Sequence, residues 1–281
     1  MIRAVLLTLL ALPAVAQQPI TYTPALLHSG SPILFRVQLP GATAITGTWL
    51  KHPVVFTRDS TGWFLLAGVD VEQAPGSYAL DLTATMANGT TRPLNRQIAI
   101  GPAHYRTTKI QVAEKFLSPD AATQAEIAAD AEVKKAAFAR VIPEPLWSGS
   151  FTRPVPFAPT DSFGTRRTFN GKLASIHKGA DFHAPLGTPV YAANDGIVTI
   201  AQLMFYEGNF VVVDHGQQFE TMYMHFSRID VHVGDHVRKG QRLGLSGATG
   251  RVTGPHLHLG VRWQGTYLDP AILLNMPLPK Q

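Results

Sequence analysis

The sequence predicts a mainly β chain in two parts joined by a helical connector. Three observations carry this. Period-2 alternation runs through the chain before residue 104, an alanine-rich stretch spans 118–141, and short apolar runs punctuated by glycine resume from 160. At 281 residues the chain is long enough for two packed domains. A composition 45% hydrophobic and 15% charged is that of a globular protein.

In the first part, Phe35, Val37 and Leu39 alternate with Arg36 and Gln38, the pattern of a half-buried strand. Tyr78, Leu80 and Leu82 alternate with Ala79, Asp81 and Thr83, after the turn pair Pro75-Gly76. Asn88-Gly89 offers a hairpin turn, because both residues tolerate positive φ. Strands at this spacing predict an immunoglobulin-like β-sandwich over 20–103. His28, His52 and His104 are isolated there, so no catalytic constellation is expected.

Residues 104–159 read as a helical connector followed by a linker. Ser118 can cap a helix, Pro119 suits its first position, and Asp120 suits the positive end of its dipole. Asp130 and Lys134 stand at i, i+4, and Pro143 and Pro145 end the helix. The five prolines from Pro143 to Pro159 predict an extended linker. From 160 to 276 the runs Pro189–Tyr191, Ile197–Ile200, Phe210–Val213 and His258–Val261 predict a compact antiparallel β domain. Turns are expected at Asp195-Gly196, Gly234-Asp235 and Ser246-Gly247, and Asp269-Pro270 starts a short last helix.

The N-terminus has the layout of an export signal over 1–16. Arg3 is followed by the apolar run Ala4–Leu12 and by Ala14-Val15-Ala16, which fits the small-x-small cleavage rule, so cleavage is expected before Gln17. About nine apolar residues are too few for a bilayer that needs roughly 20. Release to the periplasm or cell envelope follows, with no stable membrane insertion after cleavage. The formal charge of +5 comes from scattered lysines and arginines, with no basic stripe interleaved with aromatics. A nucleic-acid partner is therefore not expected.

The chain has no cysteine, so any metal must be held by His, Asp or Glu. Eight of its eleven histidines lie between 177 and 258. His177 and Asp181 stand four apart around Gly179, and on an extended segment they share a face. His256 and His258 share a strand face in the same way, with Leu257 turned to the core. Three protein ligands and one open position make a catalytic zinc site, and His177, Asp181 and His258 would supply that set.

Residues 162–274 resemble the lysostaphin-type (LytM-like) family of peptidoglycan metalloendopeptidases. The matching segments begin with Ser162-Phe163-Gly164-Thr165-Arg166, His177-Lys178-Gly179-Ala180-Asp181-Phe182 and Ala184-Pro185-Leu186-Gly187-Thr188-Pro189-Val190. They continue with Tyr223-Met224-His225, Gly234–Gln241, Ser246–Arg251 and Thr253-Gly254-Pro255-His256-Leu257-His258, all in the family's order. The resemblance implies a zinc metallopeptidase domain over 160–276 with one Zn2+ held by His177, Asp181 and His258. It also implies His256 as general base, His225 as a second catalytic histidine, and peptides of peptidoglycan as substrate. Whether a regulatory protein partner exists is left open.

Other residues carry less. His183 is expected to support the site without binding metal, and His215, His232 and His236 to lie at the surface beside turns. Arg166 and Arg167 could bind a substrate carboxylate or form a solvated strand face. Asn170 reads as a turn residue, and Tyr191 could line the cleft, with core packing the default. Two other functions compete. One is a non-catalytic cell-wall-binding or amidase-activating module of the same fold, against which all five polar positions are filled. The other is a biotinyl- or lipoyl-type carrier, for which Lys239 lacks the hairpin-tip setting. The first part could bind glycan, position the enzyme or cover its site.

Overall fold

Two facing sheets make up residues 20–101. One has four strands in the order Ile20–Thr23, Pro32–Val37, Gly62–Gly68, Thr57–Asp59. The other has five, in the order Leu27–His28, Thr91–Gly101, Gly76–Met86, Ala42–Trp49, His52–Val55. The structure is a computed structural model describing residues 19–280 apart from Ser162 and Lys172, so the export signal expected at 1–16 lies outside the described residues. Phe35 of the first sheet meets Trp49 of the second edge-to-face at 5.3 Å, and the Trp49 indole N–H donates to the Gly68 carbonyl at 2.8 Å. The large core residue thus buries its ring without orphaning its one donor. Gly89, at φ 81°, turns the hairpin between Gly76–Met86 and Thr91–Gly101, and the Asn88 side chain accepts from the Thr90 N–H.

A helix runs Ala121–Phe138, and its cap differs from the one expected. Asp120, not Ser118, accepts the Thr123 N–H, while the Ser118 hydroxyl turns to Glu114. Asp130 and Lys134 do not pair with each other. Asp130 is buried and accepts the Phe205 N–H at 2.8 Å, and Lys134 meets Glu207 at 2.6 Å, so both are used to dock the helix onto the second part. Just before the helix, Thr107–Ile110 pairs in parallel with Arg166–Phe169, which pairs with Leu173–Ile176 to complete a three-stranded sheet.

The proline-rich stretch forms no helix or strand from 143 to 158, but it is not a free linker. Trp147, Phe151 and Val155 are buried, and the Leu146 and Thr152 N–H groups bond to the His215 and Ala193 carbonyls. Phe64 packs on Trp147 at 5.8 Å and His52 on Trp263 at 5.1 Å. One hydrophobic core therefore runs through both parts of the chain.

The second part is built on an antiparallel sheet in the order Pro159–Asp161, Gly179–Phe182, Leu257–Trp263, Phe219–Ile229, Gly208–Asp214, Gly196–Met204, His236–Val237. Arg242–Ser246 bridges Phe219–Ile229 to Pro189–Tyr191, and Thr266–Leu268 adds to Leu257–Trp263. Among the described residues no helix is long and apolar enough to cross a membrane.

Candidate metal centre and cleft

Strand register assembles the site. Asp181 stands opposite His258 on the neighbouring strand, and His258 stands opposite Met224 on the next. His177 enters just before its strand, held by its N–H to the Thr165 carbonyl and by its carbonyl from the Gly164 N–H, each at 2.9 Å. Leu257, between His256 and His258, is fully buried, as the alternation requires. A methyl group at Gly179 would lie 2.4 Å from His258 Nε2, so only glycine lets that ring lie flat against the strand.

Three donor atoms converge. His177 Nε2 lies 3.1 Å from Asp181 Oδ1 and 3.0 Å from His258 Nδ1, and those two are 2.8 Å apart. Ligands about 2.0–2.1 Å from a tetrahedral zinc stand roughly 3.3 Å from one another, so this triangle is within half an ångström of a zinc face. Two imidazole nitrogens and a carboxylate oxygen, all buried, are the right donors for that ion in a chain without thiolates. Arg167 Nη2 holds the other Asp181 oxygen at 2.8 Å, which aims Oδ1 at the centre. Burial opposes ionisation of Asp181, but hydrogen bonds from His177 and His258 hold its carboxyl far below the usual carboxylate range. Burial keeps His258 in its neutral, ligating form.

Two further imidazoles face this triangle. His225 adopts φ 69°, a strained conformation for a residue with a side chain, and its N–H donates to the Glu207 carbonyl. Its Nδ1 donates to the Thr249 carbonyl at 2.8 Å, and His256 Nδ1 donates to the Gly254 carbonyl at 2.8 Å. A carbonyl can only accept, so in each ring the Nε2 is left as the lone-pair nitrogen. His256 Nε2 lies 3.7 Å from Asp181 Oδ1, and the His225 ring lies 4.9 Å from His256 and 6.2 Å from His258. Burial, then the neighbouring His258 and His256, push His225 down to about 3.

The five residues line one cleft of about 400 Å3, together with Arg167, Lys178, Tyr206, Glu207, Arg251 and Tyr267. The profile of peptidase family M23 matches residues 175–270. The chain carries a peptidase M23 domain. This bears out the lysostaphin-type resemblance. The peptidoglycan DD-endopeptidases ShyA and ShyB of Vibrio cholerae are 47% and 41% identical to it, over 38% and 37% of this chain and 25% and 24% of theirs. The chain thus spans about a quarter of the length of these curated relatives. A Pseudomonas aeruginosa crystal structure described as a peptidase M23 is 28% identical and covers 88% of this chain and 96% of its own, with a TM-score of 0.66. That similarity reaches beyond the M23 domain to the parts preceding it.

Around the M23 site several residues differ from their expected places. His215 is 0% exposed instead of at the surface. The proline-rich stretch covers its turn, Phe151 packs on its ring at 5.0 Å, and both ring nitrogens are bonded, to the Asp195 carbonyl and the Thr221 hydroxyl. His232 and His236 are exposed; His183 is also exposed, against Phe157. Tyr191 is 38% exposed and lies outside the cleft, not in the core. Asn170 is in a turn at φ 47°, and its amide bonds both the N–H and the carbonyl of Val112. Ile110 and Val112 line the cleft without any sequence signal. Glu207 likewise lines it without a sequence signal, and Arg251 closes the segment Ser246–Arg251.

Proposed function

We propose that residues 160–276 form a zinc-dependent endopeptidase domain that hydrolyses peptide bonds in peptidoglycan stem peptides or cross-bridges. The observation that carries this is the His177–Asp181–His258 triangle with two lone-pair nitrogens, His225 Nε2 and His256 Nε2, turned toward it. Bound at the triangle, zinc supplies a Lewis acid and a water of lowered pKa. His256, steadied through Nδ1, takes the proton of the attacking water at Nε2. His225 orients that water as an acceptor or, once it holds a proton, donates to the developing oxyanion. That its M23 relatives include peptidoglycan DD-endopeptidases supports the substrate class.

We further propose an immunoglobulin-like sandwich over 20–103, a connector over 104–159, and export to the periplasm or envelope after loss of 1–16. In this reading the sandwich supports the cleft wall and does not cover the site. Asp70 accepts the N–H of the cleft residue Tyr267 at 3.0 Å, while the described cleft lining begins at Ile110.

The test is purified peptidoglycan digested with the full chain and with His258→Ala, read by mass spectrometry of the muropeptides and by bound zinc. One zinc per chain and new peptide ends are expected for the wild type. The variant should lose the metal, and several kcal/mol of lost charge stabilisation should slow cleavage roughly a thousandfold. Undiminished cleavage by His258→Ala would sink the site. Zinc binding without cleavage by the wild type would favour the non-catalytic module.

A further inference from the structure

The charges of the cleft are unevenly matched. Its two carboxylates are engaged unequally, Asp181 by histidines and Arg167 at both oxygens, and Glu207 by Lys134 through Oε1, with Oε2 buried without a hydrogen-bond partner. Two of its cations are held instead by rings. Lys178 Nζ lies 4.5 Å from the Tyr267 ring centre, and the Arg251 guanidinium lies between Phe169 at 4.7 Å and Tyr206 at 4.6 Å. No ion pair reaches Arg251 among the described residues.

Arg251 is also held from behind. Its N–H bonds the Tyr206 carbonyl at 2.9 Å, and it stands on the same short segment as Thr249, which anchors His225, and His256. Stacking through the planar faces leaves the edge of a guanidinium, with its N–H donors, available for a ligand in that plane. The charge of Glu207 reaches Arg251 without forming an ion pair and is shared with Lys134, so the half-buried guanidinium keeps donors for a further anion, and a bidentate carboxylate is the ligand whose geometry matches them.

We infer that Arg251 is a specificity residue whose guanidinium binds a free carboxylate of the substrate peptide beside the bond cleaved. This rests on the endopeptidase reading above and narrows its substrate class to acidic peptides. The carboxylate could be the terminal one of the peptide or one on a side chain, and separate amidation tells them apart.

The experiment uses the full chain and a cross-linked muropeptide in three forms: unmodified, amidated at the terminal carboxylate, and amidated at the side-chain carboxylate of the residue flanking the bond. Wild-type kcat/KM should fall roughly tenfold to a hundredfold for one amidated form, which identifies the carboxylate bound. Arg251→Gln should bring the unmodified peptide down to that level and leave that amidated form unchanged, and Arg251→Lys should lie between. Equal cleavage of all three forms by the wild type overturns the inference, and that comparison needs no variant to fold. So does a parallel loss on every form in Arg251→Gln. If the wild type cleaves none of them, calorimetric binding of the same peptides decides. Carboxylate-dependent binding lost in Arg251→Gln keeps the subsite and discards the endopeptidase. Binding indifferent to amidation overturns the subsite.

Discussion

The two parts of the chain bury different things. Before residue 104 the buried polar side chains among the described residues are Ser29 and Ser31, and the rest of that core is Phe35, Trp49, Phe64, Leu80 and their apolar neighbours. After residue 165 the core takes in His177, Asp181, Asp214, His215, Glu220, His225 and His258. Burying such groups is costly unless each is paired. In the second part they divide into two kinds. Glu220 is held by Arg262 at 3.1 and 3.2 Å, and His215 bonds at both ring nitrogens, so these serve the fold. The metal-centre donors instead share a single point among themselves, an arrangement that is completed only by an ion. The contrast between a polar group with its own partner and several groups aimed at one place separates packing from chemistry.

The apolar part offers the largest effect. Phe64→Ala should cost about 3–5 kcal/mol, since it removes a fully buried ring that contacts Trp147 across the two parts. Because the core is shared, urea unfolding followed by circular dichroism and by tryptophan fluorescence should show one transition. Two separate transitions, with only the first shifted, would break the picture of a joint core.

A smaller effect tests the buried polar groups. Burial pushes His215 down to about 4 from its ordinary 6.5. The unfolded chain therefore binds a proton between those values that the folded chain refuses. Stability should fall as pH is lowered from about 6.5 to about 4, by up to roughly 3 kcal/mol. His215→Gln should flatten that slope in denaturation series across the same window, and an unchanged slope would assign the acid loss elsewhere.

The smallest effect concerns the docked helix. Lys134→Ala should lower stability by about 1 kcal/mol, because it leaves the partly buried Glu207 carboxylate unpaired, while Lys135→Ala at the exposed pair with Glu132 should change almost nothing. Equal melting points for the two variants would mean that the Lys134 contact contributes no more than a surface pair.

The proposed metal donors stand out in the sequence because both halves of the constellation are local. His177 and Asp181 are four apart around a glycine, and His256 and His258 are two apart at the start of one strand, with His256 bridged to Gly247 just before it. Sheet register then does the rest, by placing Asp181 opposite His258. What stayed hidden depends on distant partners. Asp130 and Lys134 have the spacing of a helical pair, yet each finds its partner more than 70 residues away. His215 stands beside glycine like a surface histidine, and a stretch that reads as linker buries it. Arg251 shows no distinguishing neighbour in sequence, because its two rings come from Phe169 and Tyr206.

The parallel pairing of Thr107–Ile110 with Arg166–Phe169 bears on how this domain could be transplanted. The stretch that matches the M23 profile begins at residue 175, so a cassette cut there would carry the histidines and leave behind Phe169, Ile110 and Val112. Such a graft would take along the proposed metal ligands and Arg251, but only one of the two rings that flank it. Recipient proteins would inherit the scissors without one side of the handle, and would have to supply that side from whatever chain precedes the cut.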